Sequence, residues 1–263
     1  MQATMSALGV SWIAAVLLLA VRIAAALLLT PVLHAANMPV VMRVLFALAL
    51  ACVLALPFAA QVNVDLRDAG ALAAAVLREA AIGATLGLGI LMAFAGFALA
   101  GRLIDLQVGF AIAQVFDPAT RSRLPVVSAV FNVLAVVFFF LVDGHHALLR
   151  GIAYSVERIT VGQPWQMDAA AGPLLGQGGG LFALGFALAA PVVLGLMLID
   201  FALGVIARNL PQMNMLALGI PVKIVAGLFA LAACTMGFGV PAHRLYEGLY
   251  QAWSAWLTTA GGR

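Results

Sequence analysis

Charge is what this chain has least of. Only 9% of its 263 residues are Asp, Glu, Lys or Arg, and Lys223 is the single lysine. A soluble domain carries about a quarter charged residues, so a polar exterior all round is excluded. The net charge of +3 is small and scattered along the chain, which excludes a nucleic-acid surface. Cysteine is nearly absent too. Cys52 and Cys234 lie inside apolar runs and form no Cys-x-x-Cys pair, so they read as small buried hydrophobes and not as a disulfide framework or a metal centre. No basic residue precedes the first apolar run, and Arg22 interrupts it. A cleaved signal peptide is therefore not expected, and the first segment is expected to stay. No repeat of fixed period runs through the chain.

Enzyme signatures are missing as well. There is no Gly-x-Gly-x-x-Gly, no phosphate-binding loop ending in Gly-Lys-Ser or Gly-Lys-Thr, no Gly-x-Ser-x-Gly turn and no His-Glu-x-x-His, and these are the local arrangements that nucleotide, serine-nucleophile and zinc chemistry need. Asp105 and Asp200 belong to no catalytic motif. The reading is a non-enzyme with no catalytic residues, no cofactor and no metal.

What is present is apolar length. Hydrophobic residues make up 65% of the chain, and the mean hydropathy is +1.14. About 20 apolar residues cross a hydrocarbon core of roughly 30 Å. Six stretches approach that length: 12–33, 40–60 with Pro57 near its end, 69–100 interrupted only by Arg78 and Glu79, 125–142 with four phenylalanines, 181–207 with Pro191 and Asp200, and 222–240. The fold class is all-α, a polytopic helical membrane protein with about six long apolar helices, some broken. Residues 61–68 are polar and read as a loop. A short helix to about Val161 is followed by a second loop through Pro164, Pro173 and Gly178 to Gly180. In the tail, 241–263, Leu245, Leu249, Trp253, Trp256 and Leu257 recur at spacings of three and four, an apolar helix face suited to an interface or a partner. Arg22 or Asp200 would cost several kcal/mol facing lipid, so each is expected to face protein or a pore. With all six stretches crossing, the basic residues divide six against six between the two sides, and the positive-inside rule gives no orientation.

Three stretches carry more pattern than a membrane helix needs. Residues 208–223 hold Arg208, Pro211, Gln212, Asn214, Gly219, Pro221 and Lys223. Two prolines and a glycine break helix, so the plain reading is a polar turn between two apolar segments. The second stretch runs from Gly101 through Asp105 and Gly109 to Asp117 and Pro118. Within it Phe110, Ile112 and Phe116 can fill a hole beside small, flexible Gly109, Ala111 and Ala113, and a hydrophobic constriction blocks water by dewetting. The same residues also suit the core of a helix, and both readings stand. The third is Asp143-Gly144-His145-His146. Adjacent histidines on a helix point about 100° apart and do not clamp one metal as residues i and i+4 do, so they are expected to cap the end of the fourth span.

These three stretches, in this order, resemble the FliR family of flagellar biosynthetic proteins. The relevant patterns are Arg-x-x-Pro-Gln-x-Asn with Gly-x-Pro-x-Lys, the Gly101 to Pro118 segment (where Arg102 stands in place of a common Glu), and Asp-Gly-His-His for Asn-Gly-His-His. The T-type subunit of injectisomes is similar, but that glycine fits the flagellar branch better. The resemblance implies a core subunit of a type III protein export gate in the bacterial inner membrane, at the flagellar basal body. It implies P-type and Q-type partner subunits, contact with the B-type switch and A-type export subunits, membrane lipid, and unfolded flagellar proteins as cargo. It implies a P-type-like part over 1–180 and a Q-type-like hairpin over 181–240 whose tip is residues 208–223. It also places the segment 106–123 in the pore as a plug, with Gly109, Phe110, Ile112 and Phe116. A small secondary transporter is the rival from another class, but it should show an internal repeat.

Overall fold

The computed structural model describes residues 2–35, 38–57, 68–109, 126–163, 168–210, 215–234 and 237–260. Every element in them is helical: α1 Gln2–Leu29, α2 Pro31–Ala35, α3 Val40–Ala55, α4 Ala69–Val108, α5 Val126–Leu141, α6 Gly144–Arg158, α7 Asp168–Asn209, α8 Met215–Cys234 and α9 Gly239–Ala260. This is the all-α, polytopic membrane architecture expected from the hydropathy.

Among the described residues, three helical segments are long and apolar enough to cross a membrane: 11–29 of α1, the whole of α4, and 171–209 of α7. The broken pair α5 and α6 makes a fourth if counted as one span. Six spans of full length are therefore not what forms. α3 stops at Ala55, just before Pro57, which lacks the N–H that would continue the ladder. α8 is 20 residues long and carries Pro221 inside it. One expected loop also changes, and one helix outruns its apolar stretch. α4 runs on to Val108, past the polar residues from Gly101 onward. α7 begins at Asp168 and carries Pro173 and Gly178 to Gly180 inside it, because apolar helices tolerate breakers when neighbouring groups re-satisfy the backbone. The loop expected at 61–68 lies, except for Asp68, outside the described residues.

The chain forms two compact units that interleave along the sequence. The first is residues 1–92, 143–178 and 247–263. Here α3 packs on α1 and buries Ala47, Ala51 and Ala55, one small residue per turn, which lets the backbones approach. α4 approaches α1 more closely still. A Cβ on Gly83 would lie 2.0 Å from the Arg22 carbonyl oxygen, and one on Gly87 would lie 2.5 Å from that of Ala26. The Trp253 ring of α9 sits against both Gly89 and Gly151, with Leu249, Trp256 and Leu257 buried beside it along the helix. The apolar face of the tail is thus buried by its own chain, where an interface or a partner was the expectation. Leu245 is not among the side chains described.

The second unit is residues 93–142 and 179–246. α5 buries Val127, Phe131, Ala135 and Phe139, a stripe at spacings of four that faces the core. Phe139 meets Phe94 and Tyr246 at 6.0 and 5.8 Å between ring centroids, Phe97 stacks on Phe138, and the Tyr246 hydroxyl donates to the Ala135 carbonyl.

Candidate functional site

The last two turns of α4 gather the polar groups of the second unit. Asp105 is 1% exposed, and its carboxylate reaches the start of α5. Oδ1 accepts from the Val127 N–H at 3.0 Å, and Oδ2 accepts from the Ser128 N–H at 2.8 Å and the Ser128 hydroxyl at 2.6 Å. The first N–H groups of a helix have no partner within it, and a carboxylate suits the positive end of the dipole. Asp105 is therefore a cap supplied from another helix. Gly101 makes room for it: a Cβ there would lie 2.7 Å from the Ser128 Cα. Two residues beyond Asp105, Gln107 donates to the Asp200 carboxylate of α7 at 3.0 Å. Lys223 of α8 binds the same carboxylate at 2.9 Å. Val108 packs where a Cβ on Gly227 would come within 2.6 Å. α4 then ends at Gly109, whose φ of 98° is open to glycine and strained for other residues.

α4 thus holds α5, α7 and α8 at one place, immediately before the segment expected to act as a plug. Of the plug residues only Gly109 is described; Phe110, Ile112, Phe116, Asp117 and Pro118 lie outside the described residues. The residues at the two ends of the segment 110–125, Asp105 on one side and Val127 and Ser128 on the other, are hydrogen-bonded to each other.

The stretch 208–223 is not one turn. Arg208 is exposed in the last turn of α7, and helix resumes at Met215, so Gly219, Pro221 and Lys223 belong to α8. Residues 210–214 lie between the two helices, and of these Pro211, Gln212 and Asn214 lie outside the described residues. The ammonium of Lys223 is engaged within the chain by Asp200, a pairing the sequence reading did not make.

In the first unit, the charge at Arg22 has a partner. Arg22 is fully buried and makes a two-point ion pair with Glu79, Nε to Oε2 at 2.6 Å and Nη2 to Oε1 at 3.2 Å. It also donates to the Ser155 hydroxyl and the Ile159 carbonyl, while Glu79 accepts from the Gly162 N–H. Arg22 faces protein, as expected. The sequence marked both charges, since Glu79 interrupts the third apolar stretch as Arg22 interrupts the first, but it did not mark their pairing.

Asp143 takes the left-handed conformation, φ 55°, at the head of α6, and its side chain makes no capping bond. The His145 and His146 rings lie 4.1 Å apart between centroids. His146 Nδ1 is 3.3 Å from Asp143 Oδ1, and one ligand atom from each of the three residues falls within 4.8 Å of the others. The expectation that adjacent histidines diverge by 100° is therefore wrong here. That angle describes the Cα–Cβ vectors, and the side-chain torsions at the first helical turn swing the rings back together. Nearby, α6 and α9 border a cleft of about 340 Å³ lined by Arg150, Tyr154, Tyr250 and Trp253 among others. Burial first, and the Asp143 charge second, push the Tyr250 hydroxyl up to about 12, so it stays protonated.

Residues 13–248 match the model of a family described as bacterial export proteins, family 1. The chain is 34% identical over 223 residues to the flagellar biosynthetic protein FliR of Bacillus subtilis (strain 168), covering 84% of this chain and 85% of that protein. It is 34% identical over 156 residues to the FliR of Pectobacterium carotovorum subsp. carotovorum, with 59% and 60% covered. It is 30% identical over 158 residues to that of Escherichia coli (strain K12), with 60% of each covered.

Proposed function

Since the chain belongs to the bacterial export protein family that includes flagellar biosynthetic protein FliR, and so to the flagellar export apparatus, we propose that it is a non-enzymatic core subunit of the export gate. In this reading it helps to form and seal the pore through which unfolded flagellar proteins leave. It resides in the inner membrane, at the basal body, with P-type and Q-type subunits as its immediate partners and the B-type and A-type subunits as further ones. The 210–214 segment with Arg208, Gln212 and Asn214 docks against a neighbour, and Phe110, Ile112 and Phe116 fill the closed pore with Gly109 as the hinge.

One observation carries the sealing role. Asp105 clamps the residues on either side of 110–125, and Gln107 anchors the same turn to Asp200 and Lys223. A segment that must withstand cargo passing through needs a fixed foot, and this is one. The left-handed Gly109 lets the chain leave the helix at that point.

A deletion strain complemented with variants tests the reading. Deletion should abolish secretion of hook and filament proteins; a strain without the chain that still exports them overturns the assignment. In the complemented strain, Phe110→Ala should raise ion leakage at normal abundance, because a methyl group leaves a gap that water enters. Gly109→Val should lower secretion without raising leakage, because a β-branched residue resists positive φ. Unchanged conductance in Phe110→Ala cells, normalised to the amount of chain in the membrane, would remove the plug from the account.

A further inference from the structure

We propose that Asp143, His145 and His146 bind one divalent transition-metal ion of the zinc class at the head of α6. The donor set is one carboxylate oxygen and two imidazole nitrogens, all within 4.8 Å of one another. Imidazole selects zinc, nickel, cobalt or copper, whereas magnesium and calcium take oxygen ligands. With metal–ligand bonds of about 2.1 Å, two ligands of a tetrahedral ion stand about 3.4 Å apart. His146 Nδ1 and Asp143 Oδ1 stand at 3.3 Å. That separation is long for an N–H···O hydrogen bond, whose usual length is about 2.9–3.0 Å, yet it matches the edge of a coordination tetrahedron. The widest pair in the cluster, at up to 4.8 Å, must close further. The Asp143 and His146 side chains are 74% and 62% exposed, so their rotation meets little packing.

The state of the Asp143 side chain and backbone agrees with this donor set. An aspartate at the head of a helix ordinarily accepts a hydrogen bond from the second or third N–H group. The Asp143 side chain makes no such bond, and its carboxylate turns toward the His146 ring instead. The left-handed backbone at Asp143 is uncommon outside glycine, asparagine and aspartate, and it accompanies a carboxylate that is not used as a cap. Three protein ligands leave one position for water, and the bound ion would cross-link the residue before α6 to its first turn.

The test uses the chain isolated in mild detergent with whatever subunits accompany it, carrying a histidine-free affinity tag and stripped with EDTA. Cobalt(II) is titrated while its d–d absorption is followed, and zinc(II) is then added in competition. One equivalent of cobalt should bind with a tetrahedral or five-coordinate spectrum and be displaced by zinc. His146→Ala removes a ligand outright and should weaken binding by more than the roughly 10- to 100-fold that outer-shell partners contribute, while Asp143→Asn replaces an anionic donor with a neutral amide oxygen and should weaken it as well. His243→Ala should leave the titration unchanged. Zinc should also raise the thermal midpoint of the parent chain and not that of His146→Ala. Both variants change exposed side chains, and recovery of the same accompanying subunits checks that they fold. Absence of stoichiometric cobalt binding, or equal binding by the parent and the Asp143→Asn, His146→Ala double variant, overturns the proposal.

Discussion

Arg22 and Glu79 sit in two separate helices that are otherwise apolar, and neither could be buried without the other. Their pair is satisfied on almost every side, by Ser155, the Ile159 carbonyl and the Gly162 N–H. Glu79→Gln would leave a guanidinium in the interior with no counter-charge, which costs about 3–5 kcal/mol. The thermal midpoint in detergent should fall steeply, and the amount of chain in the membrane should fall with it. Replacing both, as Arg22→Met with Glu79→Leu, should recover much of the loss, because desolvating two ions offsets most of what their attraction contributes. A single variant as stable as the parent would show that the pair is open to water. At this scale the sequence was only half legible. Each charge stood out against its apolar neighbours, but their separation of 57 positions gave no reason to join them. Lys223 and Asp200 behaved the same way. The rings of His145 and His146 were misread because helical periodicity fixes where a side chain starts and not where it ends.

The element that organises the second unit is the C-terminal end of α4. Its polar residues, Arg102, Asp105 and Gln107, lie beyond the apolar stretch expected over 69–100. They are helical because Asp105 and Gln107 each spend their polar atoms on a neighbouring helix, which removes the need for water. Asp105→Ala would take charged acceptors from two buried N–H groups and a hydroxyl, a loss on the order of 3 kcal/mol. α5 should detach at its N-terminus, and trypsin should cut faster at Arg121 and Arg123. Asp105→Asn keeps one acceptor oxygen and should show a smaller effect in the same digestion. Equal cutting in all three proteins would mean that the cap does not hold the segment. The existence of α5 and its buried stripe was readable from spacing. The cap was not, because Asp105 and Ser128 are 23 positions apart and the spacing of neither helix predicts the other.

For the molecule as a whole, the hydropathy profile fixed the class, and helix geometry then reduced the number of spans. A run of apolar residues says nothing about where Pro57 will stop a helix or where Pro173 will fail to. Large hydrophobic side chains remain exposed on α3, α7 and α8, among them Phe46, Phe182, Phe186, Phe201 and Phe229. α3, at 16 residues, falls short of a full span, so lipid alone does not account for covering it, and faces of this kind mark contacts with other proteins. Expressed without its proposed P-type and Q-type partners, the chain should be degraded or aggregate, and co-expression should restore its level in the membrane. Full accumulation of the chain alone, monodisperse in mild detergent, would argue instead for a self-sufficient membrane protein.

Lys223 gives the protein a chemical address of its own. It carries the chain's sole ε-amino group, and that group is held at 2.9 Å by Asp200. An amine must leave its ion pair before it can attack an acylating reagent. The rate at which a mild N-hydroxysuccinimide ester modifies this one site therefore clocks the opening of α8 from α7, without a probe being introduced anywhere in the molecule.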